Sequence, residues 1–407
     1  MHGDDVPTAD RFLGGATDAE VVDEKTVRIN LDAPDTEYPR RISETGSSFN
    51  IVPKDIIDNR YDELSTTDFG SGPFQFKELV GGNKYIFEAR DDYHGVDNNG
   101  NRIPYVDTIE AEIVSDALAA TNGLIDQRYD GILQADHRFS NRFEQSEHSN
   151  LYGVPSMELI NVLLNVEIEP FDNPNVRKAL KYALDKQEML DAIPGGSIGY
   201  HHSVSPIHKF FADDIEDPFG TEGKPEKARE LLAEAGYEDG IEVEFYYPTG
   251  RYPMDSTIAQ AVQSQLAEVG IEANMKTMEW ATYLELLGQA PDKVEHDMYF
   301  LGWGTVTGDA DYGLYALFHS DEFAPNGNNW HFGKNEEVDR LLEEAQQITD
   351  EAEREEIYQE VQQIIVDDAP FVFLNHMKMQ IPIRKSVENY VLYPTNNKYF
   401  HKVWLDQ

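Results

Sequence analysis

The 407-residue chain carries 33 basic and 76 acidic residues, for a net charge of -43, and it has no cysteine. That charge repels phosphate backbones and argues against nucleic acid as a partner. The missing cysteine excludes disulfides, thiolate metal sites and a cysteine nucleophile. Forty per cent apolar residues, with 21 Tyr and 20 Phe, describe a folding chain long enough for two or three domains.

The acids are spread along the whole chain, which reads as a solvated halophilic surface. At molar salt the Debye length falls to about 3 Å, and much of the self-repulsion disappears. A cation trap or a receptor for basic ligands is the alternative. No apolar run approaches the roughly 20 residues that cross a bilayer. The opening Met1-His2-Gly3-Asp4-Asp5 is polar and does not read as a signal peptide.

In chain order, Glu24 to Leu31 alternates, with Val27, Ile29 and Leu31 on one face, and predicts a strand. Runs around Phe74-Gln75-Phe76 and Tyr85-Ile86-Phe87, joined through Gly81-Gly82-Asn83, predict a hairpin. The insert from Gly95 to Pro104 has the Asp97, Asn99, Asn101 alternation of a calcium loop. Arg102 and Thr108 stand where that loop needs glycine and glutamate, so a surface loop is expected. Another strand is expected near Ile109 to Val114.

From Ile160 strands and helices alternate. Asn161 to Ile168 is a strand candidate, and Asn173-Pro174 opens a helix with a cap and a first-turn proline. Pro225 opens a second helix that Gly236 ends, and Ile241 to Tyr247 reads as a strand. Asp255 is expected to cap a helix that Gly270 stops. Ile271 to Met275, a helix after Glu279 and a strand from Met298 to Trp303 follow. Two long helices come next, the second opened by an Asp350 and Glu353 capping box, and then a strand from Phe371 to Leu374. This grammar predicts an α/β domain over about 156–378, flanked on both sides by a more β-rich unit. One domain inserted into another implies connecting segments laid out as a hinge.

The candidate ligand wall is Asp297 to Phe318. A buried-length strand ends in Gly302-Trp303-Gly304, and a turn-prone stretch then delivers Asp309, Asp311 and Tyr312. Aromatic faces give contact area at low entropic cost, and a few polar groups fix orientation. Trp303 reads equally as a core residue. Tyr247, Arg251 and Tyr252 after the Ile241 strand, and Tyr200 and His201 in a glycine-rich loop, are further candidates. Gly195-Gly196-Ser197-Ile198-Gly199 matches a nucleophile elbow, but no strand precedes it and no helix follows. A secreted serine hydrolase using Ser197 is therefore the rival class, and no catalytic residue is assigned. The neighbours His201 and His202 point apart if extended, so no metal site or cofactor is expected.

Several stretches together resemble the family 5 extracellular solute-binding proteins of ABC transporters, which bind peptides, nickel complexes or oligosaccharides. They are Gly70-Ser71-Gly72-Pro73-Phe74, Arg90 to Gly95, Pro104 to Asp107, Asn165, Pro170 to Asn173 with Val176 to Leu180, Pro225 to Tyr237, Leu266 to Ile271, Asp297-Met298 and Gly302-Trp303. The resemblance implies a two-lobed, type II periplasmic-binding-protein-like α/β fold with a hinge. Residues 1–155 and 379–407 would belong to the first lobe and 156–378 to the second. It also implies an N-terminal truncation, because family members carry a long stretch before the position of Val21. The first lobe and part of the cleft wall would then be incomplete.

The implied function is to bind a small peptide or an oligosaccharide and deliver it to a transporter permease. The implied place is the outer face of the cell membrane, as a monomer, in a halophilic archaeal-type protein. Peptide-binding members usually place an aspartate three residues after the tryptophan, where Val306 stands here. Valine cannot hold an ammonium group. Asp309 or Asp311 is the expected substitute, with oligosaccharide or nickel-complex binding as the alternative.

Overall fold

The alternation of Val27, Ile29 and Leu31 becomes one arm of a hairpin, β1 (Ala16–Asp23) pairing antiparallel with β2 (Thr26–Leu31). The computed structural model describes residues 15–43, 50–63, 67–192, 197–198, 203–294, 296–395 and 397–406. Its contacts divide the chain into two units, Met1–Phe49 with Pro155–Lys378, and Asn50–Val154 with Met379–Gln407. The described N-terminal residues 15–43 therefore group with the α/β unit, not with the segment that follows them. Arg40 and Glu37, described below, supply the contacts that hold them there.

In the smaller unit, β3 (Phe74–Val80), β4 (Lys84–Ala89) and β5 (Thr108–Glu112) form an antiparallel sheet in that order. Gly81 and Gly82 take φ of 62° and 79° at the tip of the β3–β4 hairpin, a region open to glycine at no steric cost. The insert after Tyr93 is closed by its own side chains. The Asp97 carboxylate accepts from the Tyr105 hydroxyl (2.7 Å), the Asn101 amide (2.9 Å) and the N–H groups of Asn99 and Asn101. These bonds, the Tyr105 one first, hold its pKa well below the usual range.

The larger unit is built on a six-stranded sheet of β6 (Ser149–Leu164), β7 (Ser197–Ile198), β8 (Ile241–Pro248), β9 (Ile271–Met278), β10 (Met298–Gly304) and β11 (Phe371–Arg384). The order across the sheet is β7-β11-β6-β10-β8-β9. β8 runs parallel to both β9 and β10, and β6 runs antiparallel to β10. Both faces are covered. Ile160, Val162, Leu164, Met298 and Phe300 pack under the helices Pro174–Ala183, Pro225–Glu234 and Asp255–Glu268. Leu159, Leu163, Tyr299 and Leu301 pack under Trp280–Leu287, Ala310–Phe318, Glu336–Gln347 and Glu351–Asp368. Burial on both sides is why β10 reads as an unbroken apolar run.

Two strands are longer than the sequence suggests. β6 begins at Ser149, beyond Gly153 and Pro155, and stops at Leu164, where Asn165 turns to donate to the His296 carbonyl (3.3 Å). β11 continues ten residues past Leu374 through Pro382. In both cases the extension contains a proline, which the pattern treats as a breaker but a strand edge tolerates. Each extension also crosses the division between the units, so β6 and β11 each belong to both. The tail adds β12 (Val387–Glu388) and β13 (Trp404–Leu405).

The caps are mixed. Asn173 and Asp350 cap as expected, the latter through the N–H groups of Ala352 (3.0 Å) and Glu353 (3.1 Å). Asp255 does not cap its helix. Met254, at φ 62°, is the capping residue, and Asp255 turns its carboxylate back to the N–H groups of Arg251 (3.0 Å) and Tyr252 (3.3 Å).

Candidate functional site

Because β8, β9 and β10 run parallel, their ends at Pro248, Met278 and Gly304 lie along one edge of the sheet. In open α/β sheets, ligands bind beyond the carboxyl ends of the strands. The loops leaving this edge carry Arg251 and Tyr252 after β8, Trp280 after β9, and Thr305 to Asp309 after β10.

On the face of Ile160 and Phe300, the edge is aromatic. Tyr252 packs against Gly302 and donates its hydroxyl to the Gly302 carbonyl (3.2 Å). A Cβ at Gly302 would collide with the Tyr252 ring, so only glycine lets the ring down onto the strand. Tyr252 meets Trp280 edge to face at 6.0 Å. The exposed guanidinium of Arg251 lies 4.9 Å from the centroids of both rings, a cation–π platform. Burial raises the Tyr252 pKa, so the phenol stays neutral. Tyr247, on the same face, is 8% exposed and packs 6.3 Å from Phe245 in the core.

Glu158 on β6 stands opposite Gly304 in the register, two residues before Ile160 and on the same face. Its carboxyl is half-buried. Burial pushes its pKa up, and the charge of Arg251 pulls it back. The sequence reading did not select Glu158 or Trp280. A glutamate at the head of the apolar run Leu159 to Leu164 is the signal that would have drawn attention to the first.

The opposite face is closed. Trp303 is half-buried, stacked on Tyr312 at 5.8 Å and edge-on to Trp330 at 5.9 Å. The loop after it is held from below, with the His208 Nε2 2.9 Å from the Thr305 carbonyl and the Lys209 N–H donating to the Gly308 carbonyl. Asp309 is 0% exposed and Asp311 2%. Asp309 caps the helix Ala310–Phe318 through the Asp311 N–H (3.1 Å) and faces Arg354 and Arg40, each at 3.6 Å. Asp311 accepts from the Tyr358 hydroxyl (2.9 Å) and from the Gln346 amide. Arg354 also donates to Glu37 (2.9 Å), a residue 2% exposed in the N-terminal segment. Burial, with Asp309 and Asp311 adding repulsion, raises the Glu37 pKa to about 7. Burial likewise raises that of Asp311, against the pull of Arg41.

The sequence expectation set Asp309 and Asp311 on a ligand wall, whereas the structure has both carboxylates engaged inside the unit. Capping and arginine pairing account for their burial. The structure brings Arg251 and Tyr252 together at the edge, with Trp303 on the other face of the same strand end. Tyr200 and His201 lie outside the described residues. Ser197 is part of β7 itself, at the sheet margin, whereas a nucleophile elbow sets its serine in the turn after a strand. Among the described residues, no group of three His, Asp or Glu is placed to hold a metal ion. No described helix is long and apolar enough to cross a membrane.

Comparison with known proteins agrees with this architecture. The family model for bacterial extracellular solute-binding proteins, family 5 (middle), matches residues 4–325. The chain is 26% identical to the dipeptide-binding protein of Escherichia coli over 400 residues, covering 96% of this chain and 72% of that protein. It is 30% identical to the oligopeptide-binding protein AppA of Bacillus subtilis over 380 residues, covering 87% of this chain and 66% of that one. The solved structure of that AppA, in complex with a nonapeptide, superposes with a TM-score of 0.82 at 25% identity, covering 98% of this chain and 80% of that one. The fold is accordingly the two-lobed periplasmic-binding-protein type. The chain belongs to family 5 of the extracellular solute-binding proteins, the binding components of ABC transporters.

Proposed function

We propose that this chain binds short peptides at the carboxyl edge of its six-stranded sheet and delivers them to an ABC-transporter permease on the outer face of the cell membrane. The observation that carries the reading is the platform of Arg251, Tyr252 and Trp280 over the glycine-lined end of β10. It offers a fixed cation and aromatic area beside bare backbone. Those groups suit the carboxylate, side chains and amides of a peptide. The names of the similar proteins point the same way, since they bind dipeptides and oligopeptides. The strands β6 and β11, which belong to both units, are the natural hinge. The uncompensated acidity suits a saline medium, where repulsion is screened.

The test is a thermal-shift and calorimetric screen of di- to pentapeptides in molar salt. A bound peptide at a hundredfold its dissociation constant stabilises the fold by about 2.7 kcal/mol. Arg251→Ala should weaken peptide binding at least tenfold. Trp303→Ala should weaken it less, since Tyr312 and Trp330 already cover part of the indole. A screen in which oligosaccharides shift the melting temperature and no peptide does would overturn the proposal.

A further inference from the structure

The loop that leaves β10 is fastened to the larger unit by a histidine. His208 is buried. Its Nδ1 accepts the Ser205 N–H (3.2 Å), and its Nε2 lies 2.9 Å from the Thr305 carbonyl. An N–H only donates and a carbonyl only accepts, so the two contacts select one form of the ring. Nδ1 is bare, Nε2 carries the proton, and the imidazole is neutral. The contact belongs to a longer seam. The Lys209 N–H donates to the Gly308 carbonyl (3.0 Å), and the Ala310 N–H donates to the Lys209 carbonyl (3.3 Å). Residues 205–209 thus hold the loop 305–309 at both of its ends, just beyond Trp303.

A second proton on the ring undoes this arrangement. It sets a Nδ1 N–H against the Ser205 N–H, two buried donors with no acceptor between them. Burial lowers the His208 pKa, and the Thr305 carbonyl and the Asp309 charge offset this only in part. The other charged groups around the seam are committed to one another. Lys209 pairs with Glu351 (2.6 Å), Arg354 with Glu37 (2.9 Å) and with Asp309 (3.6 Å), and Arg40 faces Asp309 at 3.6 Å. Once released from the seam, the ring titrates near the ordinary value of about 6.5, so acid below that value favours release. His331 is held in the same way, with the Gly333 N–H on Nδ1 and the Leu317 carbonyl at Nε2, each at 3.0 Å. There the Arg177 charge adds to burial and the pKa falls to about 3, out of reach of mild acid.

We infer that His208 is an acid-released clasp: neutral, it fastens the loop 305–309 to residues 205–209, and protonated it lets the loop go. This role concerns the loop and not its guest, and it stands apart from the peptide reading above. The test is amide hydrogen exchange in molar salt from about pH 7.5 to about pH 5, corrected for the intrinsic rate at each pH. The unaltered protein is compared with His208→Gln, whose side-chain amide can still donate and accept but has no proton to gain. Protection of residues 305–309 should fall at least about fivefold in the unaltered protein and less than about twofold in the variant. The segment around His331 should keep its protection in both. An equal fall in the two proteins, or no fall in the unaltered one, overturns the role of His208. A second measurement needs no variant. Nitrogen NMR of labelled histidine should show the His208 proton on Nε2 at about pH 7.5, and a second proton gained over the interval in which protection falls. A ring doubly protonated at the start, or one that titrates while the loop stays protected, overturns the role as well.

Discussion

The two faces of the sheet at the end of β10 use charge in opposite ways. Behind Trp303, three acids and Arg354 are packed out of water, with Arg40 closing the group from the N-terminal segment. On the other face, Arg251 is exposed and Glu158 half-buried, and the charge of the first acts on the second without a bond between them. Buried charges earn their place only if each is matched, because removing one partner strands the rest. Charges at the open edge are free to be matched by something else. The contrast separates the part of the edge that holds the loop in place from the part proposed to meet a ligand.

The sharpest way to break this contrast is Arg354→Ala. It leaves Glu37 and Asp309 buried with less counter-charge and should cost about 3–5 kcal/mol in urea unfolding. The same substitution at Arg340, exposed and paired to Glu337 and Glu344 along one helix, should cost under about 1 kcal/mol. Comparable losses at the two sites would mean that burial is not what gives the cluster its weight.

A second test uses pH. The Glu37 pKa is raised to about 7 from 4.5, so the folded state holds the extra proton between those values. Its contribution is therefore fully present below about 4.5 and is lost as pH rises through 7. The buried His296 and His331, with pKa values lowered to about 4 and about 3 by burial, act the opposite way and lower stability as the medium turns acid. The difference between the unaltered protein and Glu37→Gln cancels the histidines. It should drift by a few kcal/mol over that window, on the order set by the shift. A flat difference would mean that Glu37 is as solvated folded as unfolded.

Gly302→Ala probes the open face. Its methyl group has no room beneath Tyr252, and overpacking of this kind costs about 1–3 kcal/mol. Peptide affinity should fall together with stability, since Arg251 rests on the displaced ring. Stability lost with affinity unchanged would detach the platform from binding.

Much of the architecture was legible because it is periodic. The stripes of Pro174–Ala183, Pro225–Glu234 and Asp255–Glu268 and the run from Met298 each betray which side is buried. Caps at Asn173 and Asp350 are local and were readable for the same reason. Pairing at a distance leaves no such trace. Glu37 meets Arg354 across 317 positions, and nothing near either residue announces the other. Asp309 and Asp311 sit in a turn-like stretch, where acids are ordinarily solvated, so composition pointed outward while the ion pairs point inward. Asp255 misled in the same way, since a residue suited to capping gives its carboxylate to the N–H groups of Arg251, Tyr252 and Ser256.

Gly302 has a consequence for selectivity. With no side chain beneath it, the tyrosine ring rests at the lowest height the strand allows, and the guanidinium above inherits that height. One position thus works as a shim, setting how far the charged platform stands off the sheet. Exchanging it for alanine lifts that platform from below, and with it the cation that the proposed peptide site presents.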